Sequence, residues 1–525
     1  MAEQLSAQRR PRPAHGSLTR ALFALLTTAT LLLGGCSGDK PPANTAVMLI
    51  DSSPSNLDPR IGTDAQSEHI DMLLFDSLVR HNSHFGFKPS LAASWNTPNP
   101  STYIFHLRPG VRFSNGRPLT SRDVKWTIES MLNGSITTVK TGAYEDIAAI
   151  DTPDPLTVVI HLKQPDNALL SNLSDGALEI VPYGSGKNFG RHPIGSGPFE
   201  LVSQSYDRDV VIQRNPYYWG VKPHIQRVRF DVVPDATTRA LELEKGSADV
   251  EINSLPQDTV HALRADKNLR VVSQPGTELY YIVFNLRDPI LRHQKVRQAI
   301  AYAINRPLII KSLFGGDARL ASSLLPPEHW AWTATPPYTY NPAKADQLLD
   351  EAGFPRRKDG IRFHIAMKTS TDQTTRLMAM AIQAELAHVG IKMELHSYEF
   401  ATFYSDLTRG AFQMAPSRWI GGNEQPDIFR YSFASSSFPP YGANRGYFHN
   451  PEVDRLIDEA SISPDRAIQK ADYARIQQIV ARRLPTFDLF YINNVVVHST
   501  RLTNLTVTAY PSGNFYFLCT ARLRR

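Results

Sequence analysis

One cysteine, Cys519, follows Cys36 in this chain of 525 residues. No internal disulfide can brace the body, so buried apolar surface must hold it together. The length exceeds what a single core usually supports, and two or three lobes are expected. The 38 prolines are somewhat above the average share and suit a loop-rich surface.

Residues 31–40, LLLGGCSGDK, place Cys36 where an apolar run gives way to polar chain. Arg9, Arg10, Arg12 and Arg20 form a basic leader, and residues 21–33 are apolar apart from three threonines. That run is shorter than the roughly 20 helical residues needed to cross a bilayer. It fits the apolar region of a secretory signal. Leu33-Gly34-Gly35 before Cys36 resembles the lipobox of bacterial lipoproteins, in which the cysteine is lipidated and becomes the first mature residue. An ordinary secretory signal with a chance cysteine is the alternative. Residues 1–35 are thus expected to be a signal peptide and residues 36–45 a tether. Removing the leader takes away four arginines and Glu3, lowering the formal charge from +6 to +3. So mild a charge makes no case for nucleic acid.

Helix and strand signals are mixed along the body. Tyr103, Phe105 and Leu107 alternate with polar residues before the turn at Pro109-Gly110, as in a half-buried strand. Thr120 and Asp123 form a capping-box variant, with Val124, Ile128 and Met131 sharing one helical face. Residues 279–286, LYYIVFNL, read as a central strand covered on both sides. Asn341-Pro342 and Asn450-Pro451 each set a capping side chain before a proline suited to the first turn. Residues 374–389 predict a helix closed by Gly390, with a strand over 391–395 behind it. Residues 487–498, FDLFYINNVVVH, are long enough to cross between lobes. The expected class is α/β.

Several stretches together resemble one family. Asn56-Leu57-Asp58-Pro59, Leu73 to Arg80 (LLFDSLVR), and Pro89 to Trp95 resemble the opening of family 5 extracellular solute-binding proteins. Residues 105–126, the pair GSGPF (195–199) and RNPYYW (214–219), and the run from Lys295-Val296-Arg297 to Asn305-Arg306 continue it in order. The resemblance implies a bilobed fold of the periplasmic-binding-protein type (type II, cluster C-like) with two hinge crossings. It places the first lobe over residues 46–275 and 496–525, with an extra subdomain over 76–184, and the second lobe over 276–495. It implies a receptor of an ABC importer, located in the periplasm or cell envelope and tethered to the membrane through Cys36. A peptide or peptide-like solute would be held between the lobes of a monomer and passed to a membrane permease, with no cofactor and no chemistry. A metal chelate as ligand and an exported hydrolase are the alternatives.

In peptide-binding relatives a tryptophan is followed three positions later by an aspartate that pairs with the ligand's amino terminus. Here Trp419 is present, but Gly422 stands where that aspartate would be, after Gly421. Glu424 or Asp427 is a nearby substitute; solvated loop charge is the other reading of both. The family's cleft walls further imply Asp64 and Gln66, on the loop after the first strand, and Tyr280 with Tyr281, one facing the cleft and its neighbour the core. Trp419 either stacks on ligand or fills the second lobe. Arg418 is either a partner for a ligand carboxylate or half of a surface ion pair. His81 and His84 are expected as solvated loop histidines, since no third metal ligand of suitable spacing follows.

Overall fold

The computed structural model describes residues 41–420, 425–507 and 514–524. Among them no helix is long and apolar enough to cross a membrane. Cys36 and the leader lie outside the described residues.

Two mixed sheets carry the fold. The first has seven strands, ordered Leu269–Gln274, Asn494–Ser499, Val250–Ile252, Thr45–Ile50, Arg227–Val232, Asp209–Arg214 and Phe199–Ser205. Side chains of its central strand alternate with period two. Ala46, Met48 and Ile50 enter one core layer, where Phe199, Phe230 and Phe515 pack. Val47 and Leu49 enter the other layer, beside Leu243 and Val497. The second sheet has six strands, ordered Ala318–Leu320, Thr486–Ile492, Leu279–Phe284, Met414–Trp419, Phe363–Ser370 and Ile391–Tyr398. Its strand Leu279–Phe284 is buried along its whole length. Tyr280, Ile282 and Phe284 join one core layer, and Leu279, Tyr281 and Val283 the other.

The chain passes between these sheets twice. It leaves the first at Gln274 and enters the second at Leu279. It returns at Asn493, which separates the strands ending at Ile492 and beginning at Asn494. The apolar run expected to cross does so, broken at one residue. Gly276 is where the two crossings touch: a Cβ there would collide with the carbonyl oxygen of Ile492 and lie 3.1 Å from the amide nitrogen of Asn494. Arg264, from the first-lobe side, reaches Asp317 on the second at 2.8 Å.

A third sheet, Ala92–Asn99, Thr102–Leu107, Thr157–Leu162 and Ile147–Asp154, packs on the helix Ser121–Leu132 around its own core. Thr120 and Asp123 form the expected capping box. The helix expected over 374–389 is Gln373–His388, and the following strand runs Ile391–Tyr398, paired in parallel with Phe363–Ser370.

Motifs far apart in the chain meet in space. The indole of Trp219 donates to Asp76 Oδ2 at 2.7 Å, Arg80 pairs with Asp76 at 2.6 Å, and Arg108 lies 4.9 Å over the Trp219 ring. Gly195 and Gly197 press so closely on the Leu74 backbone that no side chain fits there. The side chain of Asn215 donates to Gly197 O at 2.8 Å. These landmarks hold the junction between the first lobe and the third sheet.

Candidate ligand-binding site

Strand Met414–Trp419 runs antiparallel to Leu279–Phe284, with Trp419 beside Leu279, the first strand residue after the crossing. Trp419 therefore stands at the end of the second sheet that meets the first lobe. Its half-buried ring stacks on Tyr281 at 6.1 Å and 7° and meets Tyr431 edge-on at 6.0 Å. Arg445 lies 5.8 Å over the same ring and 5.5 Å over Tyr404. Tyr404 in turn stacks on Phe400 at 5.8 Å. Phe400, Tyr404, Ile420 and Tyr431 are all exposed. The result is an aromatic wall with one guanidinium in its middle, a surface that offers a ligand large rigid contact area at small entropic cost.

Arg418 is committed elsewhere. Its guanidinium pairs with Glu278 on the first crossing at 3.2 Å and donates to Tyr280 Oη at 3.2 Å. Burial raises the Glu278 carboxyl above its ordinary range, and Arg418 offsets part of that rise. This arginine already holds a carboxylate. That ion pair is placed on a crossing.

The first-lobe candidates lie at the start of the first helix. Asp64 is the N-cap of the helix Ala65–Leu74. Its carboxylate accepts from Ser67 N at 2.9 Å, Ser67 Oγ at 2.6 Å and Ser55 N at 3.2 Å, and also from Ser55 Oγ. Burial would raise this acid, but those bonds outweigh it and lower the pKa. Gln66 lies in the first helical turn rather than on the loop, donating to Asp51 Oδ1 at 2.9 Å. Tyr280 does not face a cleft. It is 4% exposed and packs on Phe314 and Phe490, and burial pushes its hydroxyl up to about 12. Alternation did send Tyr280 and Tyr281 to opposite faces, but helices cover both. Asp427 pairs with Arg430 at 3.6 Å. Gly421, Gly422 and Glu424 lie outside the described residues.

His81 is a correction of another kind. Expected as solvated, it is buried: its Nδ1 lies 3.2 Å from Asp175 and its Nε2 lies 3.0 Å from the Gln425 amide. It thus joins the third-sheet side of the molecule to the segment behind Trp419. Two further contacts span the same gap. Trp330 N donates to His84 O at 3.1 Å, and Phe85 packs on His329 at 5.3 Å between ring centroids. Among the described residues no cluster of three or more His, Cys, Asp or Glu is suited to a metal ion.

Arg445, Tyr404 and Tyr431 were not singled out from the sequence. Tyr404 and Tyr431 sit on the helices Phe400–Arg409 and Ile428–Phe433, and Arg445 sits in the loop before Asn450. No local pattern joins them, because only tertiary packing brings the three segments together.

Comparison with known proteins agrees with this architecture. Residues 86–439 match the family model of bacterial extracellular solute-binding proteins, family 5. The chain is 27% identical over 512 residues to the glutathione-binding protein GsiB of Escherichia coli (strain K12), covering 95% of this chain and 98% of that one. It is 28% identical over 495 residues to the dipeptide-binding protein of the same strain, covering 87% and 90%. The crystal structure of NikA from Brucella suis in complex with Fe(III)-EDTA superposes with a TM-score of 0.81 at 25% identity, covering 92% of this chain and all of that one. With two lobes, two crossings and a family match over most of its length, the chain belongs to the family 5 extracellular solute-binding proteins, the non-enzymatic substrate-binding receptors of ABC importers.

Proposed function

We propose that this receptor captures a peptide or peptide-like solute against the aromatic wall around Trp419. The observation that carries the reading is the position of that wall, at the end of the second sheet beside the first crossing. A solute touching both this wall and the first lobe binds the closed form more tightly than the open form, and shifts the population by that difference. Closure also excludes water and strengthens polar contacts inside. The permease then recognises the closed shape, and the solute is released unchanged. Relatives that bind glutathione and dipeptides support the peptide class. Gly422 in place of the amino-terminus aspartate means that Glu424 or Asp427, or neither, meets a ligand ammonium.

The remaining expectations belong to the same proposal: export on the leader, a lipid on Cys36, a monomer tethered near its permease, and effective concentration favouring delivery. The lobe limits proposed are 46–275 with 496–525, and 276–495, with 76–184 as the extra subdomain. Native mass spectrometry of freshly purified protein is expected to reveal a co-purified peptide, and small-angle scattering to show contraction when it is added back. A chelate carrying a metal, as in the NikA complex, would replace the peptide reading. Substituting Trp419→Ala is expected to weaken binding by about tenfold or more in titration calorimetry, as loss of a central aromatic anchor does. Unchanged affinity would remove the wall from the site.

A further inference from the structure

We infer that the extra subdomain carries a latch, the hairpin around Phe85 together with Asn167, which grips the second lobe and stabilises the closed form without touching the solute. The inference rests on the reading that the two lobes close around a solute, but on none of the residues proposed to contact it.

The hairpin joins the antiparallel strands Val79–His81 and Phe87–Pro89. At its tip Asn82 Oδ1 accepts from His84 N at 2.8 Å and Gly86 N at 3.1 Å, and Phe85 adopts φ +60°. That left-handed conformation is costly for a bulky side chain and persists only where the surroundings impose it. Glycine or asparagine would take it freely in a solvated turn. The Phe85 ring is 1% exposed, yet it joins none of the apolar layers packed on the three sheets. It lies instead against His329 of the second lobe, where Trp330 N also donates to His84 O. This receiving surface is braced. Buried His329 accepts from Ala331 N at 3.0 Å through Nδ1, and Arg466 lies 3.7 Å over the Trp330 ring.

The second grip comes from a separate segment. The loop of Asn167 is fixed to the extra subdomain, with Ala168 N donating to Asp166 Oδ1 at 2.8 Å and Tyr103 Oη to Asp166 O at 3.2 Å. The Asn167 side-chain amide crosses to the end of the second-lobe helix Pro451–Ile462. Its Nδ2 lies 3.3 Å from Ala460 O and 3.4 Å from Ser463 O, and also donates to Ser461 O. The last carbonyls of a helix lack partners within it, and this helix has no basic residue in its last turn. An amide from the opposite side of the cleft serves them.

Asp76, Arg80 and Trp219 fix the extra subdomain to the first lobe. Opening about the crossings therefore breaks both grips. Contacts made only in the closed form raise its population whatever the solute, and apparent affinity scales with that population. A residue that touches solute changes discrimination between solutes. A latch residue scales all affinities alike.

The test compares the full native chain with Asn167→Ala and Phe85→Gly by small-angle scattering and titration calorimetry, using glutathione, dialanine and trialanine as probes. Asn167 is exposed, so its truncation removes no core. Glycine suits the left-handed backbone at 85, so that variant deletes the ring without adding strain. Each variant is expected to expand the chain measured alone and to weaken every probe that binds by one common factor, about three- to tenfold. Either the expansion or the common weakening supports the latch. Unchanged radius with unchanged affinities in both variants, or a loss confined to one probe, overturns it. If no probe binds, the radius decides alone. A native chain that never contracts with any probe, while the variants still expand, upholds the latch and overturns solute-driven closure.

Discussion

At the residue scale, the recurring motifs of the sequence are structural. Asp123 shows why. Its carboxylate accepts from Thr120 N at 2.7 Å, Thr120 Oγ at 3.1 Å and Tyr183 N at 2.7 Å, and also pairs with Arg117. One buried acid closes a helix N-terminus and ties it to a distant loop. Replacing Asp123→Ala strands two amide donors and an arginine, and is expected to cost about 3 kcal/mol, read as a lower midpoint in urea with an unchanged slope. Asp123 could be assigned from sequence because a capping box is local. Asp64 was readable too, since an aspartate three residues before Ser67, at the start of a helical pattern, is an N-cap in its own right. The ligand role implied for it came from the family's placement of walls. Arg445 was not readable: its place against Tyr281, Tyr404 and Trp419 depends on segments that meet only in the folded chain.

At the scale of elements, the almost wholly apolar run over 279–286 was legible as a doubly covered strand, and the structure buries Leu279–Phe284 along its whole length. The error over Tyr280 arose at the next step, since period two decides which face a residue takes and not what covers the face. The crossings are the elements on which the function turns. Gly276 has no room for a side chain against Ile492 and Asn494. Gly276→Ala is expected to force the two crossings apart, costing about 1–3 kcal/mol as overpacking does and changing the balance of open and closed forms. Differential scanning calorimetry reads the first effect and scattering with and without ligand the second. Retained stability together with unaltered contraction would mean that the crossings yield without consequence.

At the scale of the whole molecule, several carboxyl groups are buried where water cannot solvate their charge. Burial lifts Glu179, Glu251 and Asp488 to about 7, with Lys140, hydrogen bonds from Ser254 and Arg306 respectively offsetting part of the effect. In the unfolded chain such groups lose their protons near pH 4. Between those limits the folded protein holds more protons than the unfolded one, so stability falls as pH rises, and the loss is complete above about pH 7. The thermal midpoint is therefore expected to be a few degrees higher near pH 5.5 than near pH 8 in calorimetric scans. A midpoint that rises across that range would show these acids ionised in the native state. The amino-acid sequence alone determined the family, the α/β class, the caps and the return crossing near Asn493, because each depends on short-range pattern or on ordered motifs. Only the tertiary structure decided that Arg418 pairs with Glu278, that Arg445 joins the wall around Trp419 and that His81 reaches Gln425. Pairing and burial are set by segments that meet only after folding, so the commitment of Arg418 to Glu278 could not be read along the chain.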